Sequence, residues 1–127
     1  MVDDEADLDL LIKQRFRKEI REGIYEFFFA RHGGEAVKIL KEHPEIDLVL
    51  TDLNMPEMNG IELLCFLKEH YPSLKVVILS AYGDHENYSL AFKHGAIDFL
   101  IKPIIFSELD AKLKNLLFSN KPLVKDQ

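Results

Sequence analysis

Three carboxylates, one hydroxyl and one ammonium could do chemistry together in this chain of 127 residues. Asp3 and Asp4 are adjacent near the start. Asp52 opens a stretch rich in turn formers, with Asn54, Pro56, Asn59 and Gly60. Ser80 follows Asp52 by 28 residues and Lys102 follows it by 50. Carboxylates crowded together repel, and a hard divalent cation relieves that repulsion. A few carboxylates, a backbone carbonyl and waters are what Mg²⁺ takes. A cation, an ammonium and a hydroxyl around one remaining carboxylate make an anion site. The natural anion is a phosphoryl group, with the carboxylate as nucleophile. Each residue also has a plainer reading. Asp52 could cap a turn or helix, the Asp pair could lie in a solvated acidic tail, Ser80 could simply close a strand, and Lys102 could be a surface lysine before a proline turn.

The choice depends on the elements that position these side chains. Leu8, Leu11, Ile12, Phe16 and Ile20 recur at helical spacing, and Gly23 ends that helix. Residues 24–29 form a short aromatic and β-branched run, which reads as a strand in which Phe28 points away from Phe27 and Phe29. A second helix carries Ala36, Val37 and Leu40. Residues 46–51, 75–80 and 97–101 read as buried strands, and helices with Leu64, Ala91 and Leu113 lie between and after them. Gly95 reads as a helix end. Strict alternation with apolar strands implies a parallel sheet with helices on both faces. In such a sheet, ligands bind just beyond the carboxyl ends of the strands. Asp3, Asp4, Asp52, Ser80 and Lys102 all follow or end a predicted strand, so the fold gathers them on one rim.

Composition narrows the function. The chain has 22 acidic and 16 basic residues, a net charge of −6. The first ten residues hold five acids and no base, leaving −1 for the rest. A net-negative chain is a poor direct binder of nucleic acid, which needs clustered Lys and Arg. The single cysteine, Cys65, cannot form an internal disulfide, and its helix position suggests half-buried packing. No apolar run suggests a membrane span or a secretory signal. The expected location is the cytoplasm. The five histidines are scattered without metal-ligand spacing and read as surface residues.

Together, Val2-Asp3-Asp4-Glu5, the run from Leu50 to Gly60, Leu79-Ser80-Ala81 and Phe99-Leu100-Ile101-Lys102-Pro103 resemble a two-component response regulator receiver domain. The resemblance covers residues 1–118 and leaves 119–127 as a flexible C-terminal tail. It implies a flavodoxin-like (βα)5 fold, a doubly wound five-stranded parallel sheet in order 2-1-3-4-5. Carried over by position, Asp52 is the phosphoacceptor. Mg²⁺ is held by Asp3, Asp4, Asp52 and the backbone carbonyl of Asn54. Ser80 and Lys102 bind phosphoryl oxygens, Ser80 and Phe99 form the switch, and Asn54 and Tyr82 tune phosphoryl lifetime. The Lys102-Pro103 peptide is expected to be cis. The implied partner is a sensor histidine kinase or a phosphotransfer protein, and a homodimer would use the fourth helix, fifth strand and fifth helix. Such a domain catalyses only its own phosphorylation and dephosphorylation. Two other readings stand beside it: a degenerate receiver that serves only as an interaction module, and a phosphatase or phosphotransferase with an Asp nucleophile.

The sequence departs from the family in one respect. Only Met1-Val2 precede the Asp pair, where about three more apolar residues are usual. The first strand is central in the expected order, so its neighbours are expected to lack partners at one end, at a cost to buried backbone groups.

Overall fold

Aliphatic and β-branched residues dominate the strands, and their alternation supplies two cores. The computed structural model describes residues 1–53, 60–80 and 85–118, apart from the side chains of His85 and Asn87. Strands β1 (Leu48–Asp52), β2 (Lys75–Ser80) and β3 (Asp98–Ile101) form a parallel sheet in the order β1-β2-β3. Helices α1 (Ala6–Arg15), α2 (Arg17–Arg21), α3 (Gly33–Glu42), α4 (Gly60–His70), α5 (His85–Lys93) and α6 (Phe106–Phe118) surround it. Successive strand residues point to opposite faces. Val49, Val76 and Ile78 pack with Leu40 of α3, Leu63, Leu64 and Leu67 of α4, and Ala91 of α5. Leu50, Val77 and Leu79 pack with Ile12 of α1, Phe16, and Leu109 and Leu113 of α6. This is the two-faced α/β arrangement that the alternation of elements implies.

The predicted first helix is broken into α1 and α2 at Phe16, yet the hydrogen-bond ladder runs through the break. Phe16 N–H donates to Ile12 O and Ile20 N–H to Phe16 O, each at 2.9 Å. Gly23 at φ 76° and Gly95 at φ 105° take the left-handed conformation that ends a helix. Past Gly95, Ala96 N–H reaches back 3.0 Å to Ala91 O. Both glycines act as the sequence predicts.

The expected parallel α/β sheet is present, with its five positions only partly regular. Among the described residues three strands are regular, and the other two positions are reduced to single bridges. Val2 bridges in parallel to Ala30 on one side and to Thr51 on the other. The lateral order is thus Ala30, Val2, β1, β2, β3, which is the predicted order with its first two members abbreviated. Residues 24–29, predicted as a strand, make no regular ladder. The cause is the short partner: a strand forms only where a neighbouring edge takes its hydrogen bonds. Met1-Val2 ends after one bridge. Its ammonium donates to Phe28 O at 2.7 Å, and burial pushes the amine pKa down from 8.0 to about 5.

Side-chain alternation survives in that segment. Phe27 and Phe29 stack 6.1 Å apart, while Phe28 turns to the other side and meets the His43 ring at 4.4 Å. Two surface readings change. Cys65 is exposed rather than half-buried. His32 caps α3, its Nδ1 accepting from Glu35 N–H at 3.2 Å. Among the described residues, no helix is long and apolar enough to cross a membrane. The predicted tail 119–127 lies outside the described residues.

Candidate functional site

The site is assembled from the carboxyl ends of the parallel strands. Asp52 is the last residue of β1, held in line because Leu53 N–H donates to Leu79 O at 3.1 Å and Asp52 N–H to Val2 O at 2.9 Å. Val2 N–H donates in turn to Leu50 O at 2.7 Å, and Asp3 N–H to Ala30 O at 2.9 Å. The Asp pair is therefore fixed between β1 and the Ala30 segment. Ser80 ends β2 and is fully buried. Lys102 follows β3, and its N–H donates to Ser80 O at 2.8 Å. The Lys102-Pro103 peptide is cis, as expected.

The side chains converge. Asp3, Asp4 and Asp52 offer carboxylate oxygens all within 4.8 Å of one another. Asp3 and Asp52 are buried, while Asp4 is exposed at the rim. Lys102 Nζ lies 2.8 Å from Asp3 Oδ2 and 2.8 Å from Asp52 Oδ2. The contact with Asp52 is a directed hydrogen bond. The contact with Asp3 is an ion pair, and this buried oxygen has charge beside it but no hydrogen bond. The other Asp3 oxygen accepts from Glu5 N–H at 2.9 Å, a local turn typical of aspartate. Burial by itself lowers the pKa of Lys102; the hydrogen bond to Asp52 and the close charges of Asp52 and Asp3 outweigh it and hold the ammonium above the ordinary lysine value.

This donor set suits a hard divalent cation. It offers three carboxylates, one of them with a buried oxygen lacking a hydrogen bond, and an exposed side at Asp4 where water would complete the coordination of a bound cation. It does not suit zinc, which favours nitrogen and sulfur ligands.

Of the predicted site residues, Asp3, Asp4, Asp52 and Lys102 are brought together, and Ser80 ends the neighbouring strand. Asn54 and Tyr82 lie outside the described residues. Phe99 is half-buried in β3 and does not stand alone. Its ring stacks on Tyr88 at 4.5 Å and meets Phe92 edge-on at 5.8 Å, both on α5. Sequence reasoning missed this pair, although Tyr88 and Phe92 stand four apart on one helix, a spacing that places them on one face. It also missed Glu5, whose Oε1 lies 3.4 Å from Lys102 Nζ. Gly60 was read only as a turn former. A Cβ there would strike Asp52 O and come within 2.7 Å of Leu53 Cα, so the start of α4 packs directly against the Asp52 backbone.

Comparison with known proteins agrees with this geometry. The response regulator receiver domain family matches residues 1–114. The DNA-binding transcriptional regulator NtrC of Proteus hauseri is 34% identical over 118 residues, covering 92% of this chain and 24% of that protein. The transcriptional regulatory protein ZraR of Klebsiella oxytoca is 40% identical over 93 residues, covering 73% of this chain and 21% of that protein. This chain thus spans about a quarter of the length of these relatives or less. A response regulator receiver domain protein from Clostridium thermocellum superposes with a TM-score of 0.75 at 32% identity, over 91% of this chain and 89% of that one. The receiver domain of NtrX from Brucella abortus gives 0.78 at 27% identity, over 91% and 94%.

Proposed function

Since the chain belongs to the response regulator receiver domain family, we propose that Asp52 is its phosphoacceptor, that Asp3, Asp4 and Asp52 hold Mg²⁺ with the carbonyl of Asn54, and that Ser80 and Lys102 bind the transferred group. The family serves as the phosphoacceptor in two-component signalling. The observation that carries the residue assignment is the position of Lys102 Nζ, 2.8 Å from both Asp52 and Asp3, at the edge of a three-carboxylate cluster.

The chemistry follows from these groups. An Asp52 carboxylate oxygen attacks phosphorus, the bond from phosphorus to the donor nitrogen of a phosphohistidine breaks, and an aspartyl phosphate forms. Lys102 meets the charge that gathers on one phosphoryl oxygen, and the Ser80 hydroxyl donates to another. Mg²⁺, when bound, neutralises part of the phosphoryl charge and screens it from Asp3 and Asp4. The product adds about −1.5 to −2 of charge at one strand end. As Ser80 is drawn toward it, Phe99 gains room to turn inward and leaves its stack on Tyr88. This biases α5 and β3 between two arrangements. Asn54 and Tyr82 tune the lifetime of the phosphoryl group.

The donor is a sensor histidine kinase or a phosphotransfer protein in the cytoplasm. The domain comprises residues 1–118, with 119–127 as a tail, and it catalyses only its own phosphorylation and dephosphorylation. Exposed Leu90, Phe92, Ile97, Ile101 and Ile105 support α5, β3 and the approach to α6 as the homodimer face. The test is incubation with acetyl phosphate, with and without Mg²⁺, followed by intact mass. One phosphoryl group should be gained only with Mg²⁺ and lost in Asp52→Asn. No Mg²⁺-dependent gain, or a gain that survives the substitution, defeats the assignment.

A further inference from the structure

The basic residues of the first two helices form a surface that the acidic rim does not use. The hydrogen-bond ladder through Phe16 carries α1 into α2, and Ile12, Phe16 and Ile20 face the core in one row. One position further on, Lys13, Arg17 and Arg21 make a parallel row outside. At 1.5 Å of rise per residue that row is about 12 Å long. All three residues are exposed, and among the described residues none has a carboxylate partner. Arg31, Lys102, Lys112 and Lys114 each have one. Like charges four apart on a helix repel, so the row works against the helix that carries it.

Beside the cations stands an aromatic wall. Phe27 and Phe29 stack 6.1 Å apart and are half-buried, and Phe16 supports Phe27 and Tyr25, each at 5.6 Å. Lys13 Nζ lies 5.3 Å from the centre of the Phe29 ring, which joins the two walls at one end. Between them runs a groove of about 680 Å³, with Ile20 in its lining. The whole groove comes from one stretch of chain, residues 13–29. It carries three bases against one acid, Glu26, in a chain whose acids outnumber its bases 22 to 16. None of Asp3, Asp4, Asp52, Ser80 and Lys102 lines it. Phe29 marks the end nearer the rim, next to the Ala30 that accepts from Asp3, and Gly23 lies at the far end.

We propose that this groove binds an acidic amphipathic helix of a partner protein. Its apolar side chains lie on the Phe27 and Phe29 wall, and its carboxylates face Lys13, Arg17 and Arg21. Charge complementarity specifies the acids, since three cations stand together without one. Spacing specifies the helix. Acids four apart on a helix recur about every 6 Å, the repeat of the cations they meet. A helix also presents neighbouring rows to one side, so acidic and apolar rows reach both walls together, whereas a strand sends alternate residues to opposite faces. No described helix of this chain carries acids in such a row, so a second copy does not supply the occupant. A single nucleic-acid strand also offers anions and rings, but Glu26 and the net charge of −6 oppose it. The proposal uses no residue of the acidic rim and stands independently of the phosphoacceptor assignment.

The experiment uses the full chain and a labelled, alanine-based helical peptide with glutamates at four-residue spacing beside a row of leucines. Binding is followed by fluorescence anisotropy and by amide shifts in NMR. The peptide should bind, its shifts should centre on residues 13–29, and added salt should weaken it. Arg17→Glu combined with Arg21→Glu should weaken binding by at least about tenfold. The same peptide with lysines in place of the glutamates should reverse the preference and bind the double variant more tightly than the wild type. The proposal is overturned if the wild type shows no binding at millimolar peptide in low salt, or binds the lysine peptide as well as the glutamate one. It is overturned equally if the double variant binds the glutamate peptide undiminished, or if the shifts centre on another face. An oligothymidylate that binds more tightly than the glutamate peptide also overturns it and assigns the groove to single-stranded nucleic acid.

Discussion

Lys102→Met tests the charge balance of the site directly, because it removes the ammonium and keeps most of the stem. Lys102 Nζ is 2.8 Å from each of two carboxylates whose side chains are only 2% and 8% exposed. Without it, Asp3 and Asp52 face each other as buried like charges, with Asp4 adding a third at the margin. Removing one partner of a buried pair costs about 3–5 kcal/mol. The lysine side chain is itself 21% exposed and water reaches the rim, so the lower figure, about 3 kcal/mol, is the better expectation. At roughly 4 °C per kcal/mol for a domain of this size, the melting temperature falls by about 12 °C in chelator.

Millimolar Mg²⁺ should then reverse the order of effects. A cation bound only by the folded chain stabilises it in proportion to the logarithm of its concentration over Kd. Carboxylates freed of their ammonium should bind it more tightly, so Mg²⁺ raises the melting temperature of the variant more than that of the wild type. The pH dependence has a definite sign. The folded pKa of Lys102 lies above its ordinary 10.5. Its contribution is fully present below 10.5 and is lost as pH rises through the folded value. The gap between the two proteins should therefore persist through neutrality and close only on the alkaline side. Thermal melts by circular dichroism, with chelator and with Mg²⁺, decide the matter. A variant within about 2 °C of the wild type in chelator, stabilised equally by Mg²⁺, would refute this account of the rim.

Three further substitutions probe the supports of the site. Gly60→Ala forces a Cβ into the Asp52 and Leu53 backbone; it should cost about 1–3 kcal/mol in urea unfolding and slow acetyl phosphate uptake, and an unchanged midpoint would show that α4 can retreat freely. Lengthening the chain by four apolar residues before Met1 should raise the melting temperature by about 5–15 °C, since burial of about 1.5–3 kcal/mol per side chain exceeds the ordering cost; no gain would mean that the abbreviated strand carries no penalty. Tyr25→Phe removes a hydroxyl that donates to Asp110 Oδ1 at 2.8 Å while keeping the ring cluster with Phe16 and Phe27, and should cost about 1 kcal/mol at neutral pH. Burial raises the Asp110 pKa, but Tyr25 and Lys114 together hold it below the ordinary 3.8. The wild-type advantage is thus present above 3.8 and should fade as pH falls through the folded value; a difference that grows in acid would contradict the assigned pair.

What the sequence revealed and what it withheld divide along one physical line. β2 was legible to the residue, and the ends at Gly23 and Gly95 were too, because apolar runs and left-handed turns are local properties. The opposed facing of Phe28 followed from the two-residue period alone. The acidic rim was legible because each of its members follows or ends a strand run, and strand ends are where an open α/β sheet exposes side chains. Residues 24–29 misled because their β-branched and aromatic composition is only half of what a strand needs. The other half is a partner edge, which Met1-Val2 supplies to Ala30 and to the Phe28 carbonyl and no further. Gly60 and Tyr88 were missed for the related reason that their roles are contacts across the fold, one against the Asp52 backbone and one against the Phe99 ring. Asp3 is placed by single bridges on either side of Val2, so the acid cluster depends on the least supported strand in the sheet.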